Sequence, residues 1–211
     1  LELLRFLSIS GSNLDEFYMV RAAGLYGLVA AGVATSSNDG LTAAQQLAEV
    51  NRFAARLASD KQTCWLTLKK ELAAAGVHIV EAATLTAGEH EWLEAEFMRH
   101  VFPILTPINV DPAHPSPFIH NKGLTLALGM TSAEGRAMNG LIPIPGQLDR
   151  FIRLPDSGER GSPIRFIRIE TVIGLFLSEL YPTFTIRAQG AFRVLRDSDI
   201  ELQEEAEDLT R

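Results

Sequence analysis

The chain has 211 residues, enough for one or two domains, and its 46% apolar and 21% charged residues are the balance of a globular chain with a real core. A net charge of −7 argues against a general nucleic-acid binder, which is normally basic, and no nucleic-acid partner is expected. No apolar run reaches the ~18 residues needed to cross a bilayer, so no transmembrane segment is expected.

Leu1 to Leu7 carries apolar residues at 3, 4 and 7, which is helical spacing, and nothing there has the layout of a signal peptide. The chain is expected to open inside a helix. Ser12 or Asn13 then reads as the cap of a second helix, with Asp15 or Glu16 as the capping-box partner, running to about Ala31. Gly24, Gly27 and Gly32 weaken it and suggest close helix packing. Ser36 to Gly40 is a loop. Thr42 caps a long helix through Leu47, Val50, Phe53, Leu57, Cys64, Leu68 and Leu72, and Gly76 stops it. Two long antiparallel helices plus the first fragment make a small helical bundle. Cys64 is alone, which excludes an internal disulfide or zinc cluster; its helical neighbours suggest a core position rather than a reactive thiol.

Val77 to Val80 alternates like a short strand. Thr86 and Glu89 form a capping box for a helix to about His100, which Pro103 and Pro107 end. Strands are predicted at Leu124–Met130, Leu141–Ile144, Phe151–Leu154, Ile164–Ile169, Thr183–Ile186 and Phe192–Leu195, with a helix at Glu170–Leu180. The expected fold class is α+β: an N-terminal helical bundle over residues 1–84, then an α+β domain over 85–211 with a mixed or antiparallel sheet. The acidic stretch Leu202 to Leu209 reads as the start of another helix. With the opening inside a helix, this suggests a piece of a larger protein, truncated at both ends. A single cysteine and no secretory signal suggest a cytoplasmic setting, with peripheral membrane association left open.

Three places could carry chemistry. At Asn13, free N–H groups and the dipole of a helix start would favour an anion, and the amide could read a nucleobase edge or a phosphate. The residues alone favour a plain cap, with Asp15, Glu16 and Arg21 on a solvated face. Asp15 and Glu16 point roughly 100° apart and make a poor acid–base pair. The run Asp111 to His120 holds an Asp and two His, but its prolines favour a structural loop and no metal spacing matches. The arginines Arg150, Arg153, Arg165, Arg168, Arg187, Arg193 and Arg196 suit phosphate, yet interspersed acids favour surface ion pairs. No Walker A loop, Gly-x-Gly-x-x-Gly, Gly-x-Ser-x-Gly or His-Glu-x-x-His is present, so no reaction is specified by these residues alone.

Leu3 to Leu7, Ser12 to Arg21, Leu105 to Pro115, Asp149 to Pro155 and Phe192 to Ile200 together resemble, in order, the amino-terminal half of the type-1 bacterial polyphosphate kinases. The resemblance implies reversible transfer of the terminal phosphate of ATP to inorganic polyphosphate, with Mg²⁺, through a phosphohistidine intermediate. It also implies a helical N-terminal domain, a head domain that contributes to a homo-oligomer, and catalytic domains beyond this chain. The nucleophilic histidine and the Mg²⁺ ligands are therefore expected outside it, and no catalytic or metal-binding residue is assigned within it. One role carries over by the resemblance: Asn13 matches the asparagine of that family that contacts ATP. Tyr26-Gly27-Leu28 and His120-Asn121-Lys122-Gly123 depart from the family's usual residues. The chain alone is expected to be inactive. A non-catalytic module for dimerisation or polyanion binding is the alternative, and a metal-dependent hydrolase using Asp111, His114 and His120 is a third.

Overall fold

The computed structural model describes residues 2–33, 40–110, 117–156, 158 and 161–197. The predicted loop at Ser36 to Asp39, the stretch Asp111 to Ser116 and everything from Ser198 onward lie outside the described residues. The chain divides into two compact units, one over residues 1–71 with 195–211 and one over 72–194.

In the first unit, α1 (Glu2–Phe17) continues through a π-helical turn, Tyr18–Ala22, into α2 (Ala23–Ala30). The Ala23 N–H reaches back five residues to the Tyr18 carbonyl. The expected second helix start at Ser12 or Asn13 is therefore corrected: the backbone stays helical through both. Leu4, Leu7, Gly11, Leu14, Tyr18 and Ala22 are all buried or half-buried at spacings of three and four. That inward stripe runs unbroken past residue 13, and packing of such a stripe outweighs the capping preference of Ser and Asn. Gly32, at φ +65°, ends the rod, and the Val33 N–H returns to the Leu28 carbonyl.

The partner is α3 (Ala43–Ala74), whose last turn contains the division between the units. Thr42 caps it as predicted: its hydroxyl accepts from the Gln45 N–H, and the Gln45 side chain accepts from the Thr42 N–H at 2.9 Å. Tyr18 meets Asn51, while a Cβ on Gly11 would lie 3.2 Å from Lys61 Nζ, so the helices run antiparallel. Gly11, not Gly24 or Gly27, is the close-packing glycine; a Cβ at either of the latter meets nothing within 4 Å. Cys64 is only half-buried on α3.

The second unit holds two sheets around one core. β1 (Val77–Val80), β6 (Ile164–Arg168) and β5 (Phe151–Arg153) form a mixed sheet in the order β1-β6-β5, parallel then antiparallel. β2 (Ile108–Val110), β4 (Ala137–Pro143), β3 (Leu124–Ser132) and β7 (Phe184–Arg193) form an antiparallel sheet in the order β2-β4-β3-β7. The α+β class, with a mixed and an antiparallel sheet, is as expected. The two strands predicted at 183–186 and 192–195 are one, because pairing with β3 runs from Phe184 to Arg193 past a bulge at Gly129/Met130. β2 was not predicted.

The same core takes in α4 (Ala87–Glu96), with its continuation through a π turn at Phe97–Val101, and α5 (Ile169–Leu175) and α6 (Leu177–Leu180). The predicted single helix over 170–180 breaks at Phe176, whose φ of −114° and ψ of 27° leave the helical region. Its ring stacks on Phe97 at 5.1 Å between centroids. Leu93, Phe97 and Val101 recur every four residues, and all are buried in one cluster with Leu126, Leu128 and Met130 of β3.

Candidate functional site

Asn13 sits in mid-helix, so its own backbone offers no unpaired N–H and the helix-start account of anion binding does not apply. Its side chain is exposed. It lies in a groove lined by Phe6, Ile9, Ser10, Asn13, Leu14, Phe17 and Leu57, within the first unit. Phe6 is 66% exposed and Phe17 is 40% exposed, which leaves two aromatic rings flanking one amide. Such an arrangement suits a flat aromatic ligand: the rings contact its face, and the amide can both donate to and accept from its edge. Residues 6, 9, 13 and 17 form a second stripe at helical spacing, opposite the packed one. The spacing of its apolar members Phe6, Ile9 and Phe17 is legible in the sequence itself.

The π turn follows this stripe directly. Tyr18 at its start is anchored by a hydrogen bond from Oη to Asn51 Oδ1 at 2.8 Å. Burial, reinforced by the neighbouring Tyr26, raises the Tyr18 pKa above its ordinary value of 10.0, so it stays a donor at neutral pH. Glu16 and Arg21 are exposed and Asp15 is half-buried, so the two carboxylates diverge.

Four arginines of the second unit are committed to carboxylates. Arg165 pairs with Glu89 at 2.7 Å and donates to the Thr84 carbonyl at 2.8 Å. Arg168 pairs with Glu81 at 2.8 Å, Arg150 pairs with Glu170 through both terminal nitrogens, and Arg153 pairs with Asp156 at 2.9 Å. These pairs tie β6 and β5 to the segments beside them. Asp111 and His114 lie outside the described residues, and the His120 ring packs edge-on to Phe118. Among the described residues no three His, Cys, Asp or Glu side chains converge as metal ligands. No described helix is long and apolar enough to cross a membrane.

Two family profiles match the chain in series: "Polyphosphate kinase N-terminal domain" over residues 1–80 and "Polyphosphate kinase middle domain" over 88–211. The chain belongs to the polyphosphate kinase family. It is 47% identical over 211 residues to a polyphosphate kinase of Erythrobacter litoralis, covering 100% of this chain and 29% of that protein. It is 39% identical over 215 residues to one of Mycobacterium avium, covering 99% and 30%. The crystal structure of the polyphosphate kinase of Porphyromonas gingivalis superposes with a TM-score of 0.78 over 92% of this chain and 28% of that one, at 23% identity, which shows a shared fold. The chain thus spans about 29% of the length of the curated relatives it matches.

Proposed function

We propose that this chain is part of a polyphosphate kinase that reversibly moves the terminal phosphate of ATP onto inorganic polyphosphate, and that Asn13 contacts the nucleotide. Membership of the family over both the helical and the sheet unit carries this reading. The Asn13 groove supports the nucleotide role independently, because an amide between exposed phenyl rings can hold a purine by face and edge. The covalent histidine and the Mg²⁺ ligands belong to residues outside this chain. Nucleophilic catalysis needs its nucleophile, so the chain alone is inactive. The helical unit that ends near residue 71 serves as the nucleotide-facing domain, and the sheet unit that follows it serves as a head domain that contributes to a homo-oligomer, in a cytoplasmic protein.

The test is ATP-to-polyphosphate transfer by the full-length protein, with Asn13→Ala beside it and the 211-residue chain as control. Active full-length protein, a raised KM for ATP in Asn13→Ala and an inactive control are expected. Full-length protein that makes no polyphosphate from ATP and Mg²⁺ overturns the activity. An unchanged KM in Asn13→Ala overturns the role of that residue alone.

A further inference from the structure

The second unit contains a cleft of about 700 Å³, within the range of small-molecule sites. Ile119, Ile144 and Leu148 give it an apolar wall. Among the described lining residues the ionisable ones are His120, Lys122 and Arg150, with no carboxylate, in a chain whose net charge is −7. The two faces of Arg150 and Lys122 differ in kind. Arg150 is held by Glu170, which fixes its guanidinium and neutralises much of its charge. Lys122 enters none of the ion pairs of the described residues, and its side chain is exposed.

The backbone at Lys122 points the same way. It is the one non-glycine residue at positive φ among those described, at 59°. The turn that holds it is closed by the Gly123 N–H on the His120 carbonyl at 3.0 Å and by the Lys122 N–H on the Val194 carbonyl at 2.8 Å. Gly123 is itself required, since a Cβ there would lie 2.9 Å from the His120 carbonyl oxygen. A lysine in the left-handed region costs on the order of 1 kcal/mol, a cost that glycine avoids. The bond to Val194 holds that conformation, and such strained positions cluster at ligand sites. Thr125 also belongs to the wall; it is fully buried, and its hydroxyl has no hydrogen-bond partner.

We propose that this cleft binds a phosphate-bearing ligand, with Lys122 and His120 taking the phosphate oxygens and the apolar wall taking any ring the ligand carries. The site is separate in sequence from Asn13 and does not depend on a nucleotide there. A compact ammonium suits a phosphate as a point charge, and it is presented here on a stiff turn.

Hydrogen exchange read by mass spectrometry on the full-length protein tests this, with ADP and inorganic tripolyphosphate as separate probes. Protection over residues 119–125 and 143–150 is expected with at least one probe. Protection by ADP alone assigns a nucleotide; protection by both assigns the phosphate chain as the recognised part. Lys122→Gly and Lys122→Asn, which suit the turn, are expected to keep or raise the melting temperature and to weaken the protection-derived affinity by roughly tenfold, while Lys122→Arg retains most of it. No protection at these segments with either probe, or equal affinity in Lys122→Gly, overturns the proposal. Protection over residues 6–17 reports on Asn13 separately, so either site can fail alone.

Discussion

The Tyr18 hydroxyl donates to the Asn51 amide oxygen across 2.8 Å, joining residues 33 apart at the point where α1 turns π-helical. This bond fixes the rotation of the helix that carries Asn13 against α3. The first unit buries few side chains fully: Ala22, Ala43, Leu47 and Leu68 among the described residues. A single cross-helix hydrogen bond therefore counts for more there than in a large core. Tyr18→Phe is expected to destabilise the full-length protein locally by about 1 kcal/mol, and Asn51→Ala by a similar amount. The double variant should cost little more than either single one, since both remove the same bond. Hydrogen exchange over residues 14–22 measures it, and additive losses would show that the two residues act apart.

Asn13 is exposed in mid-helix, where alanine is the better helix former by up to about 0.7 kcal/mol. Asn13→Ala is thus expected to leave the melting temperature equal or slightly higher while nucleotide affinity falls about tenfold, the loss of one or two hydrogen bonds to a ligand edge. A paired melt and nucleotide titration checks both signs. A drop in stability that parallels the drop in affinity would make Asn13 a structural residue.

Glu89 serves two elements at once. One carboxylate oxygen accepts from the Thr86 N–H at 2.8 Å to complete the capping box of α4, and the other meets Arg165 of β6 at 2.7 Å. Thr86→Ala removes the hydroxyl that accepts from the Glu89 N–H, leaves the Arg165 pair intact and should cost about 1 kcal/mol. Glu89→Ala keeps the Thr86 hydroxyl on the residue-89 N–H, but it removes the reciprocal bond to the Thr86 N–H and leaves Arg165, whose side chain is 24% exposed, without its carboxylate; it should cost about 2–3 kcal/mol. Denaturant melts rank the two, and equal losses would show that the Arg165 pair contributes nothing.

Gly140 of β4 lies under Tyr181: a Cβ there would come within 2.9 Å of the tyrosine Oη and 2.8 Å of Met130 Cε. Met130 can shift its methyl end, but the buried ring cannot move as freely, so Gly140→Ala is expected to cost about 1–3 kcal/mol. The Tyr181 hydroxyl is buried without a partner, and Tyr181→Phe should gain up to about 1 kcal/mol. Burial also raises the Tyr181 pKa above 10.0. The folded state then holds this proton more tightly than the unfolded chain. Its contribution is fully present below about pH 10 and is lost as pH rises from there through the folded value. The wild type should therefore lose stability faster than Tyr181→Phe above about pH 10. Parallel alkaline unfolding curves would contradict this.

The local signals in the sequence were sufficient wherever one turn of chain decides the outcome. Thr42 with Gln45 and Thr86 with Glu89 are caps made by residues three apart, and Gly76 at φ +81° ends α3 because glycine tolerates that conformation. The alternating apolar runs of β1, β3 and β6 announced themselves in the same way. The collinear run from Ser12 to Arg21 and the later segments also sufficed to point to the family. Tertiary structure decided what depends on a distant partner. Ser12 and Asn13 carry the composition of a helix start, yet the stripe facing α3 keeps them in mid-helix, because burial along a whole helix face exceeds one cap. Likewise Arg187, Gln189 and Gly190 join two predicted strands into one only because β3 supplies the hydrogen-bonding edge. Lys122 gives no local hint of its left-handed backbone; the carbonyl of Val194, 72 residues away, holds it there. Residue identity set the caps, stops and alternation, since those energies are local, whereas the face that Asn13 and Lys122 present was set by contacts that exist only once the chain has closed on itself.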